Sequence, residues 1–410
     1  MMLRRLLTNT GWMIGARGVN AVLSMVYLAI ATRELGPERF GLFVIAFTFA
    51  QIVAGFCSFQ TWQAIIRFGQ DEEGRRTVTG FAIALDLAAV TAGIVIAAFV
   101  LLFFGQAVLL PEKMLLPTFF FTVASLLAIR STPTGLLRLH DRYDRAAYAD
   151  ATTSIVRATG AGIAVFLHPT IQSFLIVWGA AEIATAAMYW WLAARTEPIH
   201  LSRISLTRLP REQPDAWGFV WGTSLTASLA IASRQLLVLL VGVFGGPALA
   251  GIYRVASQLG EGLLKLSQAL LRAVYPELVR NPDTAKILVG KITRIAIGTG
   301  VIVVLLGLVL GEWLIMAVAG REFVGATIPM IVLAGAASVE LVGASLEALL
   351  VARGRAISNF VTRAIPLTVG LASLPWLLEW FGVVGAALVV LGTSIVTVTS
   401  LAILTRRLRA

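Results

Sequence analysis

The sequence predicts an all-α fold for a polytopic membrane protein, with twelve transmembrane helices in two pseudo-symmetric six-helix bundles around a central cavity. Three observations predict it: apolar blocks each long enough to cross a bilayer, Lys and Arg gathered on one side of the alternating loops, and a turn motif that recurs half a chain later.

Hydrophobic residues make up 58% of the chain and charged residues 13%, well short of the roughly 25% charge of a soluble domain. The apolar blocks approach the ~20 residues that span a hydrocarbon core and lack the two-residue alternation of barrel strands, so the spans must be helices. They fall at about 10–31, 42–64, 79–103, 114–134, 147–167 and 171–193, then 218–242, 248–271, 290–310, 325–346, 357–377 and 382–404. The first follows Arg4 and Arg5 but is too long for a secretory signal and has no small-residue cleavage site, so it is expected to stay as helix one. Cys57 is the single cysteine, which excludes an intrachain disulfide, and His140, His168 and His200 lie in separate segments without ligand spacing.

Positive residues are retained on the cytoplasmic side. With the N-terminus inside, the opposite loops hold only Arg33, Arg39, Lys113 and Arg321. Clusters such as Arg75 and Arg76, Arg130 to Arg145, Arg203 to Arg211 and Arg406 to Arg409 all fall on the cytoplasmic side. A missed helix would invert everything after it, so this bias supports the span count, both termini cytoplasmic, and a basic net charge of +11 that owes nothing to nucleic acid.

Loops are short except for residues 196–217, where Pro198, Pro210 and Pro214 stand among charges; this reads as a cytoplasmic linker between an N-terminal lobe, 1–195, and a C-terminal lobe, 218–410. Gly36-Pro37-Glu38-Arg39-Phe40-Gly41 recurs as Gly246-Pro247-Ala248-Leu249-Ala250-Gly251, each followed at the same distance by an aromatic, Phe43 or Tyr253. Leu136-Leu137 with Arg142 recurs as Leu349-Leu350 with Arg355. A parallel repeat of six helices gives two lobes about an axis along the membrane normal, a geometry of alternating access.

Five cations remain inside spans: Arg17, Arg157, Arg234, Arg254 and Lys265. Each costs about 2.5–3.5 kcal/mol facing lipid, so they should face protein or water, with Arg254 near enough to its span's end to snorkel and Arg157 open to a structural ion pair. In the eighth span Gln258, Glu261, Lys265, Gln268 and Arg272 alternate spacings of 3 and 4 and share one helix face, which lines either an aqueous cavity or a polar seam closed by a Glu261–Lys265 pair. The repeat offset maps Gln51 onto Glu261 and Ser58 onto Gln268. Arg17 and Asn20 are one turn apart, and Arg234 adjoins Gln235. Helices one, two, seven and eight are therefore expected to build a cationic, amide-rich groove between the lobes, with guanidinium and ammonium groups suited to phosphate and amides suited to sugar hydroxyls. Asp86, Glu261 and Glu340 are candidates for binding Na+ or H+, and Glu182 is a further embedded acid; each could instead neutralise an Arg. No phosphate-binding loop for ATP occurs, and no cofactor is expected.

Ala31-Thr32-Arg33-Glu34-Leu35 running into the first GP turn, Gly135-Leu136-Leu137-Arg138 through Arg142-Tyr143, and Gly251-Ile252-Tyr253 leading to Tyr275-Pro276-Glu277 resemble the polysaccharide transporter, or O-antigen flippase, branch of the multidrug/oligosaccharidyl-lipid/polysaccharide flippase superfamily. The resemblance spans essentially the whole chain. It implies a V-shaped cavity with cationic lining and movement of undecaprenyl-pyrophosphate-linked oligosaccharide from the cytoplasmic to the periplasmic leaflet of a bacterial inner membrane. Partners are then that lipid-linked oligosaccharide, the bilayer and other polysaccharide assembly proteins, with Arg17, Arg234, Lys265 and Arg272 matching the family's embedded basic residues by placement. A cation-coupled multidrug exporter is the alternative transporter, and a membrane glycan polymerase or ligase the alternative enzyme; enzymes of that kind use a large outer loop, which this chain lacks.

Overall fold

The computed structural model describes residues 2–105, 110–260, 285–352 and 356–407, and among them there are helices and no strands. α1, Met2–Cys57, is two helices joined across Gly36 at φ 66, ψ 174, a left-handed conformation that glycine adopts without a Cβ clash. Pro37 follows as the first residue of the second helix, where its missing N–H costs nothing. After a break at 58–60 come α2, Thr61–Phe68, and α3, Glu72–Phe104, whose N-cap Asp71 accepts from the Gly74 amide. α4, Glu112–Leu127, breaks at 128–130 before α5, Ser131–Leu139. Then come α6, Tyr143–Leu167; α7, Ile171–Ala194; a 3-10 turn, Leu201–Arg203; the short α8, Arg208–Glu212; and α9, Ala216–Gly245. α10 occupies residues 247–260, and α11, Ala285–Val318; α12, Thr327–Ala352; α13, Ala356–Phe381; and α14, Val383–Arg407, complete the described chain. Eight described stretches are long and apolar enough to cross a membrane, and many of their apolar side chains are exposed, as lipid-facing residues are: Leu102 79%, Val309 79%, Trp380 74%.

The chain divides into two compact units, Met1–Leu35 with Leu42–Leu239, and Gly36–Gly41 with Leu240–Ala410. The first unit takes in residues 196–217 and most of α9, because the segment expected to link two lobes is folded along α3. A Cβ on Gly80 would lie 2.1 Å from the Arg203 carbonyl oxygen, Arg203 pairs with Glu73 at 2.6 Å, and Leu209 is 1% exposed. Phe81 meets Trp217 edge-on at 5.2 Å and Arg67 pairs with Asp215 at 2.6 Å. Phe81, Val78, Leu136, Leu137, Leu209 and Val220 close one core around this strap.

In the second unit the two GP turns meet each other. A Cβ on Gly41 would lie 1.7 Å from the Pro247 carbonyl oxygen, and one on Gly251 2.7 Å from that of Pro37, a reciprocal contact that only glycine permits. Gly246 repeats the positive φ of Gly36 at 86°. Phe40 packs edge-on against Phe323 at 5.8 Å beside this contact.

Candidate functional site

The polar interior of the first unit is built around its two helix breaks. These lie side by side: the Trp62 amide donates to Ser131 Oγ at 3.1 Å, Thr61 and Thr132 share a hydroxyl bond of 3.2 Å, and a Cβ on Gly135 would lie 2.8 Å from Trp62 Cα. Backbone groups freed inside a membrane must find partners in protein. The Gln60 amide donates to Ser224 Oγ at 3.0 Å, Ser228 Oγ donates to the Gly55 carbonyl at 2.8 Å, and Trp190 Nε1 donates to that of Ile129 at 2.9 Å. Asp86, 6% exposed in α3, lies against the first turns of both half-helices. It accepts from Thr132 Oγ1 at 2.6 Å and Thr61 Oγ1 at 3.4 Å. Half-helix N-termini carry partial positive charge, so the carboxylate is stabilised by two dipoles and two hydroxyls. Among the described residues it has no basic partner.

A second cluster centres on Glu182, in the middle of α7. It accepts from Arg157 Nη2 of α6 at 2.6 Å and from Arg130 Nη2 at the α4–α5 break. Arg130 therefore corrects the sequence reading, which put it in a cytoplasmic loop: a break in α4 carries it to the level of Glu182 inside the unit. Arg157 also faces the rings of Trp178 at 5.4 Å, Tyr27 at 5.7 Å and Phe47 at 5.9 Å. Desolvated cation–π contacts are worth ~2 kcal/mol, so ion pair and aromatic cage together hold this cation. Tyr189 donates to Asp150 at 2.7 Å two turns beyond.

A third group is aligned by register. Tyr27 and Phe43 pack on the same Trp178, at 5.1 and 5.2 Å, so the two halves of α1 run antiparallel. Asn20, half-buried, stands two turns toward the start of the chain. The Ser228–Gly55 and Gln60–Ser224 bonds make α9 antiparallel to the end of α1, and two turns along, Gln235 comes level with Thr48 and Gln51. Asn20 Oδ1, Thr48 Oγ1 and Gln235 Oε1 are buried without a hydrogen-bond partner. Arg234 is exposed next to Gln235. Of the residues singled out from sequence, Arg17, Asn20 and Gln51 lie in α1 and Arg234 in α9, all in the first unit.

Gln258 is half-buried in α10 of the second unit, and Glu261, Lys265, Gln268 and Arg272 lie outside the described residues. Glu340 of α12 accepts from Arg363 of α13 at 3.4 Å, so it serves as an ion-pair partner. Sequence reasoning missed Thr61, Thr132 and Arg130. The signal was present: Ser58-Phe59-Gln60-Thr61 interrupts an apolar span, and Pro133 disfavours helix at Thr132. Among the described residues no group of three His, Cys, Asp or Glu side chains is placed to hold a metal ion. Outside the spans, Asp144 takes two bonds from Arg142, at 3.1 and 2.9 Å, and this guanidinium holds its carboxyl below the usual range.

Residues 6–281 match the family described as Polysaccharide biosynthesis protein. Inner membrane protein YghQ of Escherichia coli (strain K12) is 31% identical over 337 residues, covering 79% of this chain and 95% of that protein. The solved structure of lipid II flippase MurJ in an inward closed conformation superposes with a TM-score of 0.71 at 12% identity, covering 96% of this chain and 87% of that one. A MOP superfamily transporter from Pyrococcus furiosus gives a TM-score of 0.54 at 14% identity, over 99% and 94%. The structural likenesses define the fold.

Proposed function

The chain belongs to the polysaccharide biosynthesis protein family, and from that membership we propose that it is a flippase carrying an undecaprenyl-pyrophosphate-linked oligosaccharide from the cytoplasmic to the periplasmic leaflet of the inner membrane. The observation that carries this reading within the chain is the set of buried, unpartnered amide and hydroxyl oxygens in α1 and α9, Asn20, Thr48 and Gln235, with the exposed Arg234 next to Gln235. A buried polar atom left unpaired costs about 1–3 kcal/mol, a cost that a sugar hydroxyl donating to it would remove. The neighbouring guanidinium suits a phosphate, whereas the Glu182 cluster is occupied with its own neutralisation. No bond is made or broken: the residues bind, orient and release.

Of the two coupling candidates among the described residues, Asp86 fits better, since Glu340 has an Arg partner and Asp86 has hydroxyls only. In this reading H+ or Na+ binding at Asp86 supplies the energy, and rocking of the bundles supplies the access. The test is complementation of a strain lacking this gene, with surface glycan as readout. Arg234→Ala with Asn20→Ala should reduce export by about two orders of magnitude, as loss of a charged contact and an amide predicts, while membrane insertion is unchanged. Asp86→Asn should leave binding of the lipid-linked substrate in place and remove the response of export to a proton or sodium gradient. Normal export by the Arg234/Asn20 variant would overturn the binding assignment.

A further inference from the structure

The strap that crosses the first unit carries a feature that transport does not use. Ser202, Arg203, Ser205, Thr207, Arg208, Arg211 and Glu212 line a hollow of ≈340 Å³ formed by the 3-10 turn and α8. Arg203 is committed to Glu73. Arg208 and Arg211 are exposed and have no ion-pair partner among the described residues, so two guanidiniums and three hydroxyls converge against a single carboxylate, that of Glu212. Interleaved in sequence with the lining residues are exposed aliphatic side chains, Leu201 at 71%, Ile204 at 37% and Leu206 at 36%, and a strap facing only water would not be expected to present three in six residues. Nor is the strap loose, because Leu209 and the Gly80 contact pin it to α3.

We infer that this hollow binds the phosphate headgroup of an anionic phospholipid of the cytoplasmic leaflet. Guanidiniums and hydroxyls bond the phosphate oxygens, while Leu201, Ile204 and Leu206 enter the acyl boundary beside it. The charge matches: cytoplasmic leaflets are anionic, basic juxtamembrane segments are drawn to them, and the volume admits a glycerophosphate group. Exposed aliphatic residues and basic hollow together distinguish a lipid from a free anion, which would gain nothing from the aliphatic side chains. The inference uses the orientation of the flippase reading and none of its substrate chemistry.

The full-length protein in detergent, titrated with phosphatidylglycerol and separately with phosphatidylcholine, tests it by native mass spectrometry. Phosphatidylglycerol should bind in preference, and Arg208→Gln with Arg211→Gln should weaken it about 30-fold, at roughly fivefold per arginine. Glu212→Gln, which keeps the hollow and removes its repulsive charge, should tighten phosphatidylglycerol binding about fivefold and serves if the double variant fails to fold. Equal affinity for the two lipids, or no change in either variant, would overturn the inference. So would displacement by inorganic phosphate at the same concentration as the lipid, which would make the hollow a free-anion site. Arginine-dependent binding of undecaprenyl phosphate but not of phosphatidylglycerol would also overturn it, and would assign the hollow to substrate capture. Export plays no part in the readout, so failure here leaves the flippase reading standing.

Discussion

Glu182→Gln is the most informative single change in the first unit. The native carboxylate serves two guanidiniums, Arg157 and Arg130, and the side chains of Glu182, Arg157 and Arg130 are 12%, 12% and 29% exposed. Glutamine keeps the shape and one acceptor but removes the charge that both cations oppose. Breaking a buried pair costs about 3–5 kcal/mol because it strands the partner, and the stranded charge here is double. Partial exposure of Arg130 and the aromatic cage around Arg157 return part of this, placing the expected loss near ~3 kcal/mol. The assay is unfolding of the detergent-solubilised protein by a graded denaturant, followed by intrinsic Trp fluorescence. Glu182→Leu with Arg130→Met and Arg157→Met, which removes all three charges, should recover most of the loss, since apolar replacement of a whole buried ion cluster is commonly neutral. A Glu182→Gln loss under ~0.5 kcal/mol, or a triple variant no better than the single one, refutes the reasoning.

Gly41→Ala should destabilise the second unit by about 3 kcal/mol, read as a lower unfolding midpoint, because its Cβ would meet the Pro247 carbonyl oxygen at 1.7 Å and two backbones must part. Gly80→Ala should lift the strap from α3, where the contact is 2.1 Å, and expose the 196–217 segment to limited proteolysis well before the rest of the chain. The Arg142 bonds lower the carboxyl of Asp144 in the folded state, so their stabilisation is present above the ordinary carboxylate range and is lost as pH falls through the lowered value. The pair is more than a third exposed, so Asp144→Asn should cost only about 0.5 kcal/mol at neutral pH, and the difference from the native protein should vanish once acid has protonated the carboxyl.

Much of the fold was legible because lipid imposes coarse rules on sequence. Apolar length marks the helices, and the GP turns marked the repeat correctly enough that their glycines meet face to face at Gly41 and Gly251. Of the polar interior, the sequence marks residue types but not their partners: Asn20, Gln51 and Arg234 stand out as polar residues too costly to face lipid, and Asp86 as an acid needing a reason to be buried. Arg130 could not be placed, since its position depends on a break in α4 that leaves hydropathy almost unaltered.

By itself the sequence determined the solvent and the all-helical class, because bilayer thickness and backbone satisfaction act residue by residue along a chain. Only the tertiary structure decided which charges are spent and which are not. Glu182 absorbs Arg157 and Arg130, Glu340 absorbs part of Arg363, and Asp86 is left with two hydroxyls. Ion pairing depends on distances of a few ångströms between helices far apart in sequence, and no periodicity along a single helix contains that information.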